Sequence, residues 1–321
     1  MSLKMTRIAA VFIVVAVAFA GVHFITSANS SKPSQEGDAA LVWQSGSAVA
    51  NISASAIVRS GEVADEREIP NREKEELMTP SELGAESAFV IDMSSGSEIF
   101  SIGKDKRWPL ASLSKLMSAT VALERMDHNK QVIMSETAIE TEGSAGSLSV
   151  NESFSVSDLV AAMMVVSSND AAVALSEEMP PREFTDAMNS KAEELGMGNT
   201  YFNEPSGLSS LNQSTPEDMS KLLMYAWKSH PELFVLSSKP KSYIKELTKN
   251  KRRELVNINP LAKRSNFLGG KTGFIEESRE NLMAVFSFEK KPIGIIIFGS
   301  ENRVETADRI ISFLKNGDSR N

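Results

Sequence analysis

Ser112 and Lys115 stand three residues apart in the run Leu110-Ala111-Ser112-Leu113-Ser114-Lys115. In a helix that spacing puts both side chains on one face, so hydroxyl and amine can meet. A serine is a weak nucleophile until a base takes its proton, and a lysine becomes a base when apolar surroundings depress its pKa. Leu110, Leu113, Leu116 and Met117 offer such surroundings. The unpaired N–H groups of a first helical turn also favour an oxyanion forming beside Ser112. Taken alone, the pattern equally describes an N-cap serine and a surface lysine.

Ser167-Ser168-Asn169 falls where one apolar helical pattern ends and another begins. There Ser167 can relay a proton and the Asn169 amide can hold a peptide bond, or Ser168 and Asn169 can simply cap a helix. Gly269-Gly270-Lys271-Thr272-Gly273 precedes Phe274. Glycines at a strand edge let a substrate backbone approach closely, and Lys271 with Thr272 suits a terminal carboxylate. A Gly-rich turn with a solvated lysine has the same composition.

Other chemistries are poorly supplied. The chain has no cysteine and only three histidines, His23, His128 and His230, none in HxxxH or HxH spacing. That argues against a disulfide framework, a thiolate or histidine metal site, and a cysteine nucleophile. No G-x-S-x-G elbow accompanies the histidines, so the chemistry is expected to run without a Ser-His-Asp triad. A net charge of −8 argues against a nucleic-acid partner.

The elements that must position these residues follow from periodicity. Ala88–Asp92 and Glu98–Ile102 flank a Gly-containing turn and read as a hairpin. Helical patterns cover Ser112–Met126, Leu159–Val166 (with Ser157-Asp158 as its cap), Ala171–Glu178, Phe184–Leu195, Pro216–Trp227 and Val304–Leu314. Asn281–Phe288 and Ile293–Phe298 form a second apolar hairpin turning at residues 289–292. Strands at both ends with helices between predict an α+β fold, its sheet closed by distant parts of the chain.

Before this domain, Lys4 and Arg7 precede fifteen apolar or glycine residues, Ile8–Val22. A positive flank ahead of an apolar run directs the C-terminal remainder across a membrane. Three parts are therefore expected: a signal peptide or membrane anchor over 1–26, with 8–25 as the membrane-attaching stretch; a flexible polar linker over 27–84; and a catalytic domain over 85–318.

The three motifs occur in order, 52 residues apart (Lys115 to Ser167) and 102 apart (Asn169 to Lys271). In this order the chain resembles the low-molecular-weight penicillin-binding proteins, the serine-type D-alanyl-D-alanine carboxypeptidases and endopeptidases. The likeness runs from about Ser87 to Phe313. It also includes Pro109-Leu110-Ala111, Asp170-Ala171-Ala172, Met188-Asn189, Leu195-Gly196-Met197, Pro205-Ser206-Gly207-Leu208 and Ser214-Thr215-Pro216-Glu217-Asp218.

The resemblance implies a penicillin-binding/β-lactamase-like transpeptidase fold: a five-stranded antiparallel sheet flanked by helices, plus a helical lobe, with the cleft between. It implies an extracytoplasmic hydrolase of peptidoglycan stem peptides, inhibited by β-lactams and using no metal or organic cofactor. Ser112 would form the acyl-enzyme, Lys115 would take its proton, and Ser167 would pass a proton to the leaving amine. Asn169 would hold the acyl-side amide, and Lys271, Thr272 and Gly273 the carboxylate end. Backbone N–H groups of Ser112 and Phe274 would form the oxyanion hole.

Two departures bear on specificity. Ile275 stands where the family carries threonine, followed by Glu276, Glu277 and Glu280, and Glu204 replaces the Asn before Pro-x-Gly-Leu. Glu204 lies 35 residues beyond Asn169, near where a class A β-lactamase places its deacylating glutamate. A loop carboxylate is the favoured reading, with a β-lactamase-like hydrolase and a catalytically idle β-lactam- or peptidoglycan-binding module as alternatives.

Overall fold

A computed structural model describes residues 79–143 and 145–318. The targeting segment 1–26 and most of the linker lie outside the described residues. The order of elements begins with α1 (Pro80–Leu83), β1 (Ser87–Asp92), β2 (Glu98–Ile102), β3 (Trp108–Pro109), a 3-10 turn (Ala111–Leu113) and α2 (Ser114–Arg125). Next come β4 (Gln131–Ile133), α3 (Glu136–Ile139), β5 (Ser153–Ser155), α4 (Val156–Val165), α5 (Asn169–Glu177) and α6 (Glu183–Glu194). β6 (Gln213–Ser214), α7 (Pro216–Ser229), α8 (Pro231–Ser238), β7 (Lys241–Glu246) and β8 (Lys251–Val256) come after them. The last part is β9 (Phe267–Ile275), β10 (Arg279–Phe288), β11 (Lys291–Ser300) and α9 (Arg303–Asp318).

The main sheet has five antiparallel strands in the order β2-β1-β11-β10-β9, so the Lys-Thr-Gly strand is an edge. Successive strand residues point to opposite faces, and here both faces are buried. Phe89, Ile91, Met283, Val285, Ile296 and Phe298 join a large core with the helical lobe. Their neighbours Ala88, Val90, Leu282, Ala284, Ile295 and Ile297 pack against α9 through Ala307, Ile310 and Ile311. Burial on both faces explains why these strands read as unbroken apolar runs rather than alternating ones.

Several boundaries differ from the sequence reading. Packed structure is already present ahead of residue 85: Thr79 and Glu82 form a capping box on α1, and Leu83 is fully buried. The cap of α4 is Ser155, whose Oγ accepts the Asp158 N–H, two residues earlier than the expected Ser157. The β10–β11 turn is only Glu289-Lys290, both at positive φ, because Ser287 already pairs with Pro292. The β7–β8 hairpin and α8 are additions to the expected elements. The helix expected from Ser112 starts at Ser114, since Ala111 adopts φ +49 and turns the backbone ahead of it.

Candidate active site

Ser112 thus sits on a short 3-10 turn rather than inside a helix. A non-glycine residue in the left-handed region costs about 1–2 kcal/mol, and neighbouring elements hold Ala111 there. From β10, the fully buried Asn281 donates its Nδ2 to the carbonyls of Pro109 (2.8 Å) and Leu110 (3.2 Å). Ser114 Oγ donates to the Ala111 carbonyl at 3.0 Å, and the Leu110 N–H donates to the Asn212 carbonyl at 2.8 Å. Gly273 of β9 lies directly against this turn. A Cβ there would fall 2.8 Å from the Leu110 oxygen and 3.1 Å from the Ser112 nitrogen. Only glycine lets the edge strand lie this close to the serine.

Lys115 is completely buried. Its Nζ lies 3.0 Å from Ser112 Oγ and donates to Asn169 Oδ1 at 2.5 Å and to the Ser206 carbonyl. Burial pulls its pKa down to about 7, against an opposing pull from Glu204 and Asp170. The partners fix what the neutral amine can do. An amide oxygen and a carbonyl only accept hydrogen bonds, so they take both N–H groups and turn the lone pair toward Ser112 Oγ. The arrangement can draw a proton from the serine.

Across the cleft, Lys271 is only 2% exposed and donates to Ser167 Oγ and to the Thr272 carbonyl, each at 2.8 Å. Burial lowers its pKa well below the usual value, and the positive charges of Lys115 and Arg303 lower it further. Lys271 is therefore not the solvated cation that a Gly-rich turn would present. Ser167, at φ +60, occupies the break between α4 and α5, and Ser168 caps α5 through the Ala171 N–H. The capping reading of this break holds for Ser168 and coexists with the contacts of Ser167 and Asn169. Ser112, Ser167, Thr272, Gly273, Phe274 and Arg303 share a cleft of about 490 Å³, which Ile258 and Pro260 also line.

Asn169 is bonded at both ends of its amide. Its Oδ1 accepts from Lys115, while its Nδ2 donates to the Glu142 carbonyl at 2.7 Å. It ties Lys115 to the loop after α3, leaving at most one amide hydrogen for a substrate. Glu204 closes its own loop: its carboxylate accepts the N–H groups of Ser206 (2.6 Å), Gly207 (2.6 Å) and Ser209 (3.2 Å), and the Ser206 hydroxyl. A carboxylate so engaged has little capacity left to activate water. The two histidines among the described residues lie elsewhere: His230 sits between Glu124 and Glu232, and a His128 ring nitrogen lies 2.9 Å from the Leu123 carbonyl.

Four contributors escape the sequence reading: Arg303, Asn281, Asn212 and Ser206. Arg303 donates through Nε to Glu280 (3.0 Å) and through Nη1 to the Gly273 carbonyl (2.9 Å), which places a cation behind the Lys-Thr-Gly strand. Asn281 carries a usable signal, as the polar residue opening an otherwise apolar strand. Asn212 carries none, and Ser206 only its place in the Pro205–Leu208 stretch, because their value comes from a loop that returns to α2 across at least 91 residues.

A family model described as D-alanyl-D-alanine carboxypeptidase matches residues 73–302. The D-alanyl-D-alanine endopeptidase of Escherichia coli is 32% identical over 246 residues, covering 74% of this chain and 79% of that protein. The D-alanyl-D-alanine endopeptidase of Haemophilus influenzae is 34% identical over 252 residues, covering 74% and 82%. Among solved structures, a D-alanyl-D-alanine carboxypeptidase from Mycobacterium tuberculosis aligns with a TM-score of 0.67 at 23% identity, over 72% of this chain and 90% of that one, a likeness of fold. With its Ser-x-x-Lys turn, Ser-Ser-Asn break and Lys-Thr-Gly edge gathered on one cleft, the protein belongs to the D-alanyl-D-alanine carboxypeptidase family of serine peptidases.

Proposed function

We propose that this protein hydrolyses D-alanyl peptide bonds in peptidoglycan stem peptides through an acyl-enzyme on Ser112, acting outside the cytoplasm. The observation that carries the reading is a fully buried amine 3.0 Å from a serine hydroxyl that lines the cleft, with burial drawing its pKa down to about 7. A pure binding module has no use for a buried, uncharged lysine.

Ser112 Oγ attacks the carbonyl carbon as Lys115 takes its proton, and the C–N bond breaks when that proton reaches the leaving amine. Ser167, bonded to Lys271, is placed to pass it. The N–H groups of Ser112 and Phe274 receive the oxyanion. An incoming carboxylate restores the charge of Lys271 and meets Thr272, with Arg303 adding a cation behind them. Water then cleaves the acyl ester. β-Lactams mimic the D-alanyl pair and trap Ser112 as a persistent adduct. The N-terminal apolar run, residues 8–25, serves to export the protein and attach it to the membrane.

The bond cut is the cross-link rather than the terminal residue. The Escherichia coli and Haemophilus influenzae endopeptidases match this protein over about four-fifths of their length. Incubation with a stem pentapeptide and with a cross-linked muropeptide dimer separates the two: the dimer is expected to be cleaved faster, and exclusive release of terminal D-alanine would reverse the assignment. Ser112→Ala should abolish labelling by a fluorescent penicillin. Normal labelling of that variant would refute the nucleophile.

A further inference from the structure

Residues 239–254 carry seven cationic side chains (Lys239, Lys241, Lys245, Lys249, Lys251, Arg252 and Arg253) against two carboxylates, in a protein whose net charge is −8. This run is the β7–β8 hairpin with the residue pair ahead of it. Such local reversal of sign is a physical feature of a surface that meets anions.

The hairpin is a fixed platform. Ile244 and Leu255 are buried in the main core, and Arg253 clamps Glu152 through Nη1 and Nη2 at 2.8–3.0 Å. Its two carboxylates are engaged. Glu246 accepts the N–H groups of Thr248 and Lys249 at the turn, and Glu254 receives Lys241 at 2.9 Å and the Tyr243 hydroxyl at 3.0 Å. The outward face is set by register: Lys241 opposite Val256, Tyr243 opposite Glu254, Lys245 opposite Arg252. All six are exposed, and the Arg252 guanidinium stacks 3.7 Å from the Tyr243 ring centroid.

This face runs into the cleft. Val256 leads to Ile258, which is exposed, lines the cleft beside Ser112, and is pinned by its N–H to the Val165 carbonyl just ahead of Ser167. Tyr243, Val256 and Ile258 are thus exposed apolar side chains leading along the hairpin to the cleft that Ser112 also lines, with cations among them.

We infer that the β7–β8 hairpin is a docking surface for the carboxylate-bearing stem peptides of the same peptidoglycan strand whose D-alanyl bond lies at Ser112. The inference rests on the proposed function. Carboxylates meet Lys245 and Arg252, while the short apolar side chains of the peptide lie on Tyr243 and Val256. Continuity with the cleft selects this partner, because a surface meant for a lipid bilayer has no reason to run into the cleft that holds the nucleophile.

The test compares the full-length protein with Lys245→Glu/Arg252→Glu and, at the hairpin tip, Lys249→Glu/Lys251→Glu. Readouts are co-sedimentation with purified sacculi, KM for a soluble cross-linked glycan–peptide polymer, hydrolysis of a short cross-linked peptide dimer bearing only uncharged side groups, and acylation by a fluorescent penicillin. For the first variant, binding to sacculi should weaken and the polymer KM should rise about tenfold at low salt, with short-peptide hydrolysis and acylation unchanged. The tip variant should show a smaller effect in the same direction, which guards against misfolding of the first. Unchanged sacculus binding in both variants would overturn the inference. So would loss of binding to phosphatidylglycerol vesicles with sacculus binding intact, which would assign the surface to membrane. Failure of the wild type to acylate and to cut the short peptide would refute the proposed function instead.

Discussion

The carboxylate of Glu204 holds the Gly207 N–H at 2.6 Å, and the turn so closed aims the Ser206 carbonyl at Lys115 Nζ. Glu204 therefore acts on the base through a loop. Glu204→Ala should destabilise the domain by about 2 kcal/mol, the scale of a charge-assisted hydrogen bond. It should also slow acylation roughly tenfold or more, because the amine loses a fixed partner. Denaturant unfolding and fluorescent-penicillin kinetics measure both. A deacylating glutamate would leave acylation intact and lengthen the lifetime of the adduct, and that result would turn the reading toward a β-lactamase.

Because burial brings Lys115 to about 7, the fraction of neutral amine changes within the physiological range. The reaction needs the unprotonated form. The limiting acylation rate should therefore rise about tenfold per pH unit below 7 and flatten above it. The sign is that of a base whose active form lies above its pKa. A rate independent of pH between about 5 and 9 would exclude Lys115 from this role. Stability moves the same way: between about 7 and the ordinary lysine value the unfolded state binds the extra proton, so this residue disfavours folding less as pH rises through that window.

How much of this was legible in the sequence depends on the range of each interaction. Ser112 and Lys115 are three residues apart, and the α+β class follows from two hairpins at opposite ends of the domain with helices between. The Lys-Thr-Gly strand reads as a sheet edge, and it is one. Exposure is not readable: Lys271 has the composition of a surface lysine yet is buried, because β9 packs against the Ser112 turn through Gly273. The strained φ of Ala111 is equally invisible, since alanine gives no sign of a left-handed position that Asn281 and Asn212 enforce from other elements.

Two glycines separate backbone strain from steric fit. Gly196 and Gly207 both have positive φ, at +68 and +85, but a Cβ on Gly196 meets nothing within 4 Å, whereas on Gly207 it would fall 2.0 Å from the Ala111 oxygen. Gly196→Ala should cost only about 1 kcal/mol of stability and leave the acylation rate unchanged. Gly207→Ala should cost more and displace the serine turn, lowering acylation by roughly a hundredfold. Equal acylation rates in the two variants would mean that the loop does not set the position of Ser112.

Asn169 offers the sharpest test of how the base is tuned. Its Oδ1 is 2.5 Å from Lys115 Nζ and carries no charge, so it orders the amine without stabilising the ammonium as a carboxylate would. Asn169→Asp keeps the shape and adds a negative charge at that contact. An opposite charge at this range favours the protonated amine by about 1–3 pKa units. Acylation at about pH 7 should then fall by about fivefold or more and recover as pH rises toward about 9, with the midpoint of the profile displaced upward. Asn169→Ala should also be slow near neutral pH but should not recover, because it removes a positioning contact without adding charge. A profile for Asn169→Asp that keeps its midpoint near 7 would show that the group being titrated is not Lys115.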